Sequence, residues 1–302
     1  MSDAGDRLAA LLARWSKLEG IQPSPVPGVS CIKVSRSQEA AKRPWRASFC
    51  IVARGIKELA LEGQRYRERE PHYIVSPIDL PVTSRVTGAS PARPFLGLKL
   101  DFDARALRDV AAQVDRSQPD VPDRLARAIF LGRAPERMLE AAVRLCELFA
   151  TPGDAAVLAP LIVRELFYHL LVGPDGPAIR QLARAGSQAQ RVAAAIHHLQ
   201  ASLADDADIA GLARAAGMSR AAFFKRFKEA TAMSPLQYQK RLRLLEARRL
   251  MLDEGEGAEA AAFRVGYASP SQFSREYSRM FGNAPLRDTR TLRRTSSVIA
   301  EL

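Results

Sequence analysis

Leu8, Leu11, Leu12 and Trp15 recur at helical spacing, which predicts a short helix over residues 6–19. Pro23, Pro25, Pro27 and Gly28 then interrupt the pattern. From Val29 to Phe102 the apolar positions fall into strand-sized runs over 48–53, 57–61, 72–75, 81–86 and 95–100. Gly55, Gly63, Pro71, Pro77, Gly88, Pro91 and Pro94 punctuate them, as in a small antiparallel barrel or sandwich. After Asp103 the period becomes helical to the end, with segments over 104–114, 135–150 and 155–172. A Gly/Pro cluster at 173–177 ends that run, and 178–188 leads into a helix over 190–202. The fold class is therefore α+β, a β-rich half and an all-helical half joined by a helical bridge.

The last hundred residues contain an internal repeat. Its first copy runs from Ile209 through Ala213, Gly217, Met218 and Ser219 to Phe223 and Phe227. The second carries Ala262, Gly266, Tyr267, Ser269, Phe273 and Tyr277, 49–50 residues further on. A small residue lets two helices approach, glycine makes the turn, and serine caps the next helix. The spacing thus predicts two helix-turn-helix units, about 209–230 and 258–281. Ser269-Pro270-Ser271-Gln272 and Ser234-Pro235-Leu236-Gln237 both have the form of a capping box. The long helix between the copies, 235–252, spans about 27 Å at about 1.5 Å per residue. That length suits two recognition helices in successive major grooves, about 34 Å apart.

Charge sharpens this picture. The chain of 302 residues carries a formal net charge of +12, and its length predicts two domains. Between Arg214 and Arg249 lie ten bases and two acids, flanked by acidic clusters at 205–208 and 253–256. A basic block with acidic edges points to a phosphate-binding surface. No run of about 18 consecutive apolar residues predicts a membrane span, and the start has no signal-peptide pattern, so the expected location is cytoplasmic. Cys31, Cys50 and Cys146 are scattered and lack CxxC spacing, which argues against a disulfide framework or structural zinc site.

Gly217-Met218-Ser219, Phe227-Lys228, Ser234-Pro235-Leu236-Gln237-Tyr238 and the string from Val265 to Tyr277, followed by Phe281-Gly282-Asn283-Ala284-Pro285, resemble the AraC/XylS family of bacterial transcription regulators. Asp79-Leu80-Pro81-Val82 and Ser90-Pro91 resemble the cupin-like effector domain of one AraC-type subgroup. The resemblance implies a cupin-like N-terminal barrel, promoter DNA and RNA polymerase as partners, and control by a small-molecule effector. It also implies dimerisation through the helices after the barrel. On this reading 1–22 is an N-terminal helical arm, 23–110 the effector domain, 111–188 a helical bridge, 189–290 the DNA-binding domain and 291–302 a tail. The exposed face of the first recognition helix would be Arg220, Ala221, Phe224, Lys225 and Lys228. That of the second would be Pro270, Ser271, Ser274, Arg275 and Arg279, with Arg275 the foremost candidate for base readout. Pro270 brings no side-chain donor, so the second face is less polar than the family's usual set. Arg293, Arg294 and the following serines would add a phosphate contact or remain without structure.

The N-terminal half has little catalytic chemistry. A metal-dependent cupin needs a His-x-His cluster with a carboxylate and a further histidine, whereas the barrel region has His72 alone. His169, His197 and His198 fall in later helices, the last two about 100° apart. No cofactor is expected. Cys50 reads first as a small buried hydrophobe, with an electrophile or redox sensor as the sharper alternative. Tyr66, His72 and Tyr73 are further candidates for an effector pocket, and read equally as strand residues with exposed tips. Two other functions fit the sequence less well: an architectural DNA-binding protein, which leaves the β domain without a role, and a cupin-fold enzyme, which lacks its metal ligands.

Overall fold

Helix α1 (Asp3–Trp15) buries Leu8, Ala9 and Leu12 completely in this computed structural model, which describes residues 3–115, 128–184 and 186–296, with side chains to 293. The helix stops at Trp15, short of residue 19, because Gly20 begins a strand. Nine strands follow: β1 (Gly20–Pro23), β2 (Val29–Val34), β3 (Ala41–Trp45), β4 (Ser48–Arg54), β5 (Ile56–Leu61), β6 (Gln64–Tyr66), β7 (His72–Ser76), β8 (Leu80–Thr87) and β9 (Phe95–Asp101). Helix α2 (Ala104–Asp115) precedes β10 (Phe130–Arg133), which returns to the sheet. The expectation that everything after Asp103 is helical therefore fails at β10, and part of the bridge belongs to the β domain. Four residues containing one glycine are too short for period-2 patterning to stand out.

A six-stranded sheet runs β1-β2-β9-β4-β7-β10 and a four-stranded sheet β3-β8-β5-β6, with antiparallel pairing throughout the recorded ladders. Alternation divides the large sheet into two faces. Phe49, Ile51, Tyr73, Val75 and Leu98 pack against α1, α3 (Glu136–Glu147), the 3₁₀ turn Leu148–Ala150 and α4 (Pro152–Val172). Cys50, Val52, Ile74 and Phe95 face Leu59, Leu61, Leu80 and Val82 of the small sheet. Within the segment read as an N-terminal helical arm, α1 lies in the first of these cores, and Trp15 meets Phe149 edge-on at 5.7 Å.

Helix α4 is long and apolar enough to cross a membrane by length and composition, with mean hydropathy 1.7 over its best window. Leu166 and Phe167 are nevertheless fully buried against the sheet, while Val157, Leu161, Tyr168 and Val172 are exposed. The break expected at 173–177 spans only Gly173–Asp175, because Pro177 sits in the first turn of α5 (Gly176–Ala183).

The rest is helical: α6 (Gln188–Ala201), α7 (Ile209–Ala215), α8 (Arg220–Thr231), α9 (Pro235–Asp253), α10 (Ala258–Arg264), α11 (Pro270–Phe281) and α12 (Pro285–Ser296). The last of these carries helix into the expected tail; residues 297–302 and the side chain of Arg294 lie outside the described residues. The core between the two sheets continues without a gap into this half, through Val192, Phe223, Phe227 and Tyr238. Tyr238 donates to the Asp79 carbonyl at 2.6 Å and accepts from Gln200 Nε2 at 2.6 Å. Lys42 reaches the Met280 carbonyl, Arg248 the Lys42 carbonyl at 3.3 Å, and Arg241 pairs with Glu62.

Candidate nucleic-acid interface

Each repeat copy folds as its spacing demands. Ala213 and Ala262 are buried where the paired helices meet, and Gly217 and Gly266 turn the chain at φ +63° and +86°. Ser219 caps α8 by accepting from Ala222 N at 3.2 Å, and Ser269 caps α11 by accepting from Gln272 N at 3.3 Å. At α9 the box is complete, because Gln237 also accepts from Ser234 N at 3.0 Å. At Ser269 the reciprocal bond is missing: the Gln272 amide turns to Glu276 at 3.2 Å. The expected second box is therefore half a box.

The aromatic pairs hold the recognition helices down. Phe223, Phe227 and Tyr277 are fully buried and Phe273 nearly so, each worth about 1.5–3 kcal/mol of burial. Helical periodicity then leaves Arg220, Ala221, Lys225 and Lys228 exposed on α8, with Phe224 half-buried. On α11, Ser271, Arg275 and Arg279 are exposed, and Pro270 and Ser274 half-buried. Arg220 lies over the Phe224 ring at 5.8 Å. Both recognition helices end in a left-handed residue, Ala232 at φ +61° and Gly282 at φ +83°.

The ten-base block does not form one surface. Arg226 pairs with Glu229 at 3.0 Å, Lys240 with Glu276 at 2.9 Å, and Arg249 with Glu246 and Glu254 at 2.7 and 2.9 Å. Arg248 binds Asp288 through both nitrogens at 2.8 and 3.0 Å. Arg243 is buried and donates to the carbonyls of Leu203, Ala204, Asp205 and Gly266 at 2.7–3.1 Å, tying the loop before α7 to the turn of the second unit. The acidic flanks are also employed: Asp208 caps α7 and Glu254 pairs with Arg264. Among the described residues, Arg220, Lys225 and Lys228 are the bases of that block left outside ion pairs. Counting charges along the chain did not reveal this, since pairing is a property of the packed state.

Glu276 sits on the second recognition helix yet is turned inward. Desolvation raises its pKa, but hydrogen bonds from Lys240, Tyr267 and Gln272 outweigh that and hold the carboxyl below its ordinary value. Lys228 borders a cavity of about 350 Å³ shared with Glu62, Gln64 and Tyr66 of the β5–β6 hairpin.

The four effector candidates do not meet. Cys50 and His72 face the space between the sheets, and burial raises the Cys50 pKa while pushing His72 down to about 4. Tyr73, the next residue after His72, faces the helices instead and donates to Asp175 at 2.9 Å beside a cavity of about 430 Å³. Tyr66 lies on the outer hairpin. Sequence reasoning overlooked Lys57, which shares the inward parity of Leu59 and Leu61 and is 7% exposed. Its alternation with them was the available signal.

Residues 25–178 match the family model of the AraC-type transcriptional regulator N-terminus, and residues 212–291 match that of a helix-turn-helix domain. The HTH-type transcriptional activator RhaS of Pectobacterium carotovorum is 29% identical over 141 residues, 47% of this chain and 49% of that protein. RhaS of Pectobacterium atrosepticum is 31% identical over 100 residues, 33% of this chain and 36% of that protein. The chain therefore spans half or less of the length of these curated relatives. The crystal structure of ToxT from Vibrio cholerae with a bound unsaturated fatty acid superimposes with a TM-score of 0.56 at 13% identity, covering 86% of this chain and 94% of that one. At that identity the likeness concerns the fold.

Proposed function

Because the chain belongs to the AraC-type transcriptional regulators, we propose that it reads a two-part promoter site, with α8 and α11 in successive major grooves, under the control of a small molecule sensed by its N-terminal half. The observation that carries this reading is the repeated unit with one exposed, base-bearing face in each copy: Arg220, Lys225 and Lys228 on α8, Arg275 and Arg279 on α11. The bases on α8 would bind phosphate or guanine, and Phe224 a thymine methyl. The positive end of each recognition-helix dipole favours phosphate as well.

Signal transfer is supported by the shared core and by the contacts of Tyr238, Arg241 and Arg248 with the β domain. A ligand that shifts β3 or the β5–β6 hairpin would move α9, and with it the spacing of the two units. The ToxT structure, with its bound fatty acid, is a precedent for a ligand in such a fold. The exposed stripe Val157, Leu161, Tyr168 and Val172 on α4 suits a homodimer contact. RNA polymerase is the further partner, the location is cytoplasmic, and no catalytic step is assigned to the chain.

In vitro selection of bound genomic fragments by the full-length protein tests the reading. It should return two half-sites about one helical turn apart, and Arg275→Ala should relax sequence preference in one half only, by about 1–3 kcal/mol. Recovery of random fragments would favour an architectural DNA-binding protein.

A further inference from the structure

We propose that Lys57 Nζ and Trp45 Nε1 form an anion seat in the β domain that receives the carboxylate of a small organic acid. This rests on the reading of the N-terminal half as the effector domain and names the chemistry of the effector.

Lys57 lies on β5 and Trp45 on β3, the two strands flanking β8. The Lys57 ammonium stands 4.6 Å from the Trp45 ring centroid, and the residue is 7% exposed. Among the described residues it has no carboxylate or carbonyl partner. The nearby acids are engaged elsewhere: Glu58 points to the opposite face and pairs with Arg85 at 2.6 Å and Arg67 at 3.1 Å, while Asp101 is paired with Lys99. The indole Nε1 is likewise buried without an acceptor. The ammonium thus lies over the indole ring, and among the described residues no hydrogen-bond acceptor is recorded for it or for the indole N–H.

Burial accounts for the lowering of the Lys57 pKa to about 8, with Arg43 pushing the same way and Cys50 opposing. A buried ammonium without a counterion is costly, and a methionine would fill the same volume at no such cost. A carboxylate resolves both deficits together, since its two oxygens accept from the ammonium and the indole N–H in charge-assisted bonds. The remainder of such an acid would meet apolar walls, because Leu59, Leu61, Leu80 and Val82 share this core.

The test is isothermal titration of the full chain with monocarboxylates from acetate to decanoate and with benzoate, each beside its matching alcohol. At least one acid should bind the wild type at least tenfold more tightly than its alcohol. Lys57→Met should abolish that preference while leaving alcohol binding unchanged, and Trp45→Phe should reduce it. Lys57→Met removes an unanswered charge, so it should melt no lower than the wild type, which guards against misfolding as the explanation. Equal binding of acid and alcohol, or an acid preference that survives Lys57→Met, overturns the anion seat and leaves the effector reading intact. Absence of binding by every acid likewise overturns the anion seat and leaves the effector reading to ligands of other chemistry.

Discussion

The first helix-turn-helix unit, α7–α8, and the second, α10–α11, share a buried alanine, a left-handed glycine, a capping serine and an aromatic pair, yet their outer faces differ in charge. Helix α8 carries four bases and one acid; α11 carries two bases and one acid. Three bases of α8 stand outside ion pairs, whereas on the second unit Glu276 is folded inward onto Lys240, Tyr267 and Gln272. One scaffold therefore supports two electrostatic roles. Because phosphate attraction grows with each neutralised charge, most of the salt-dependent affinity falls to the first unit on the proposed reading. On the same reading the second would add positioning, and base readout through the exposed Arg275.

The turns differ too, and this gives the largest expected effect. A Cβ at Gly266 would collide with the Ala204 carbonyl and come 2.9 Å from Arg243 Nη2, where φ is +86°. At Gly217 the near neighbour is the flexible end of Arg191, 2.9 Å away. Gly266→Ala should therefore cost on the order of 3–4 kcal/mol in chemical denaturation. Gly217→Ala should cost about 1–2 kcal/mol, from the left-handed strain. Equal losses would mean that Arg243 and the 203–205 loop do not brace the second turn.

A smaller effect separates the helix ends. Ala232 holds the left-handed conformation that Gly282 supplies in the second copy. Ala232→Gly should raise stability by about 0.5–1 kcal/mol, while Gly282→Ala should lower it by a similar amount. A destabilised Ala232→Gly variant would show that the methyl group makes contacts worth more than the strain it carries.

The repeat was legible because turn, cap and burial each leave a residue-level mark, and all three recur at one offset. Strands β4, β5, β7, β8 and β9 were legible as apolar runs bounded by glycine and proline, although β4 and β7 are buried along almost their whole length and do not alternate. Strands β1, β2, β3, β6 and β10 were not: Pro44 sits inside β3, β1 and β10 have four residues each, and β6 has three. The candidate site was half legible. Exposure on α8 follows from Phe223 and Phe227 facing inward, whereas the pairing of Arg241 with Glu62, far apart in sequence, follows only from docking of the two halves. His72 and Tyr73 cannot line one pocket together, because adjacent strand residues face opposite ways.

The division of labour between the two units is tested most directly by the salt dependence of binding to a selected promoter fragment. The account predicts that replacing Arg220, Lys225 and Lys228 together with alanine lowers the slope of log K against log salt by about 2–3, at about 0.9 per phosphate contact. Replacing Arg275 and Arg279 should lower it by about 1 or less. If the α11 double variant flattens the slope as much as the α8 triple variant, the first unit is not the electrostatic anchor and the account is contradicted.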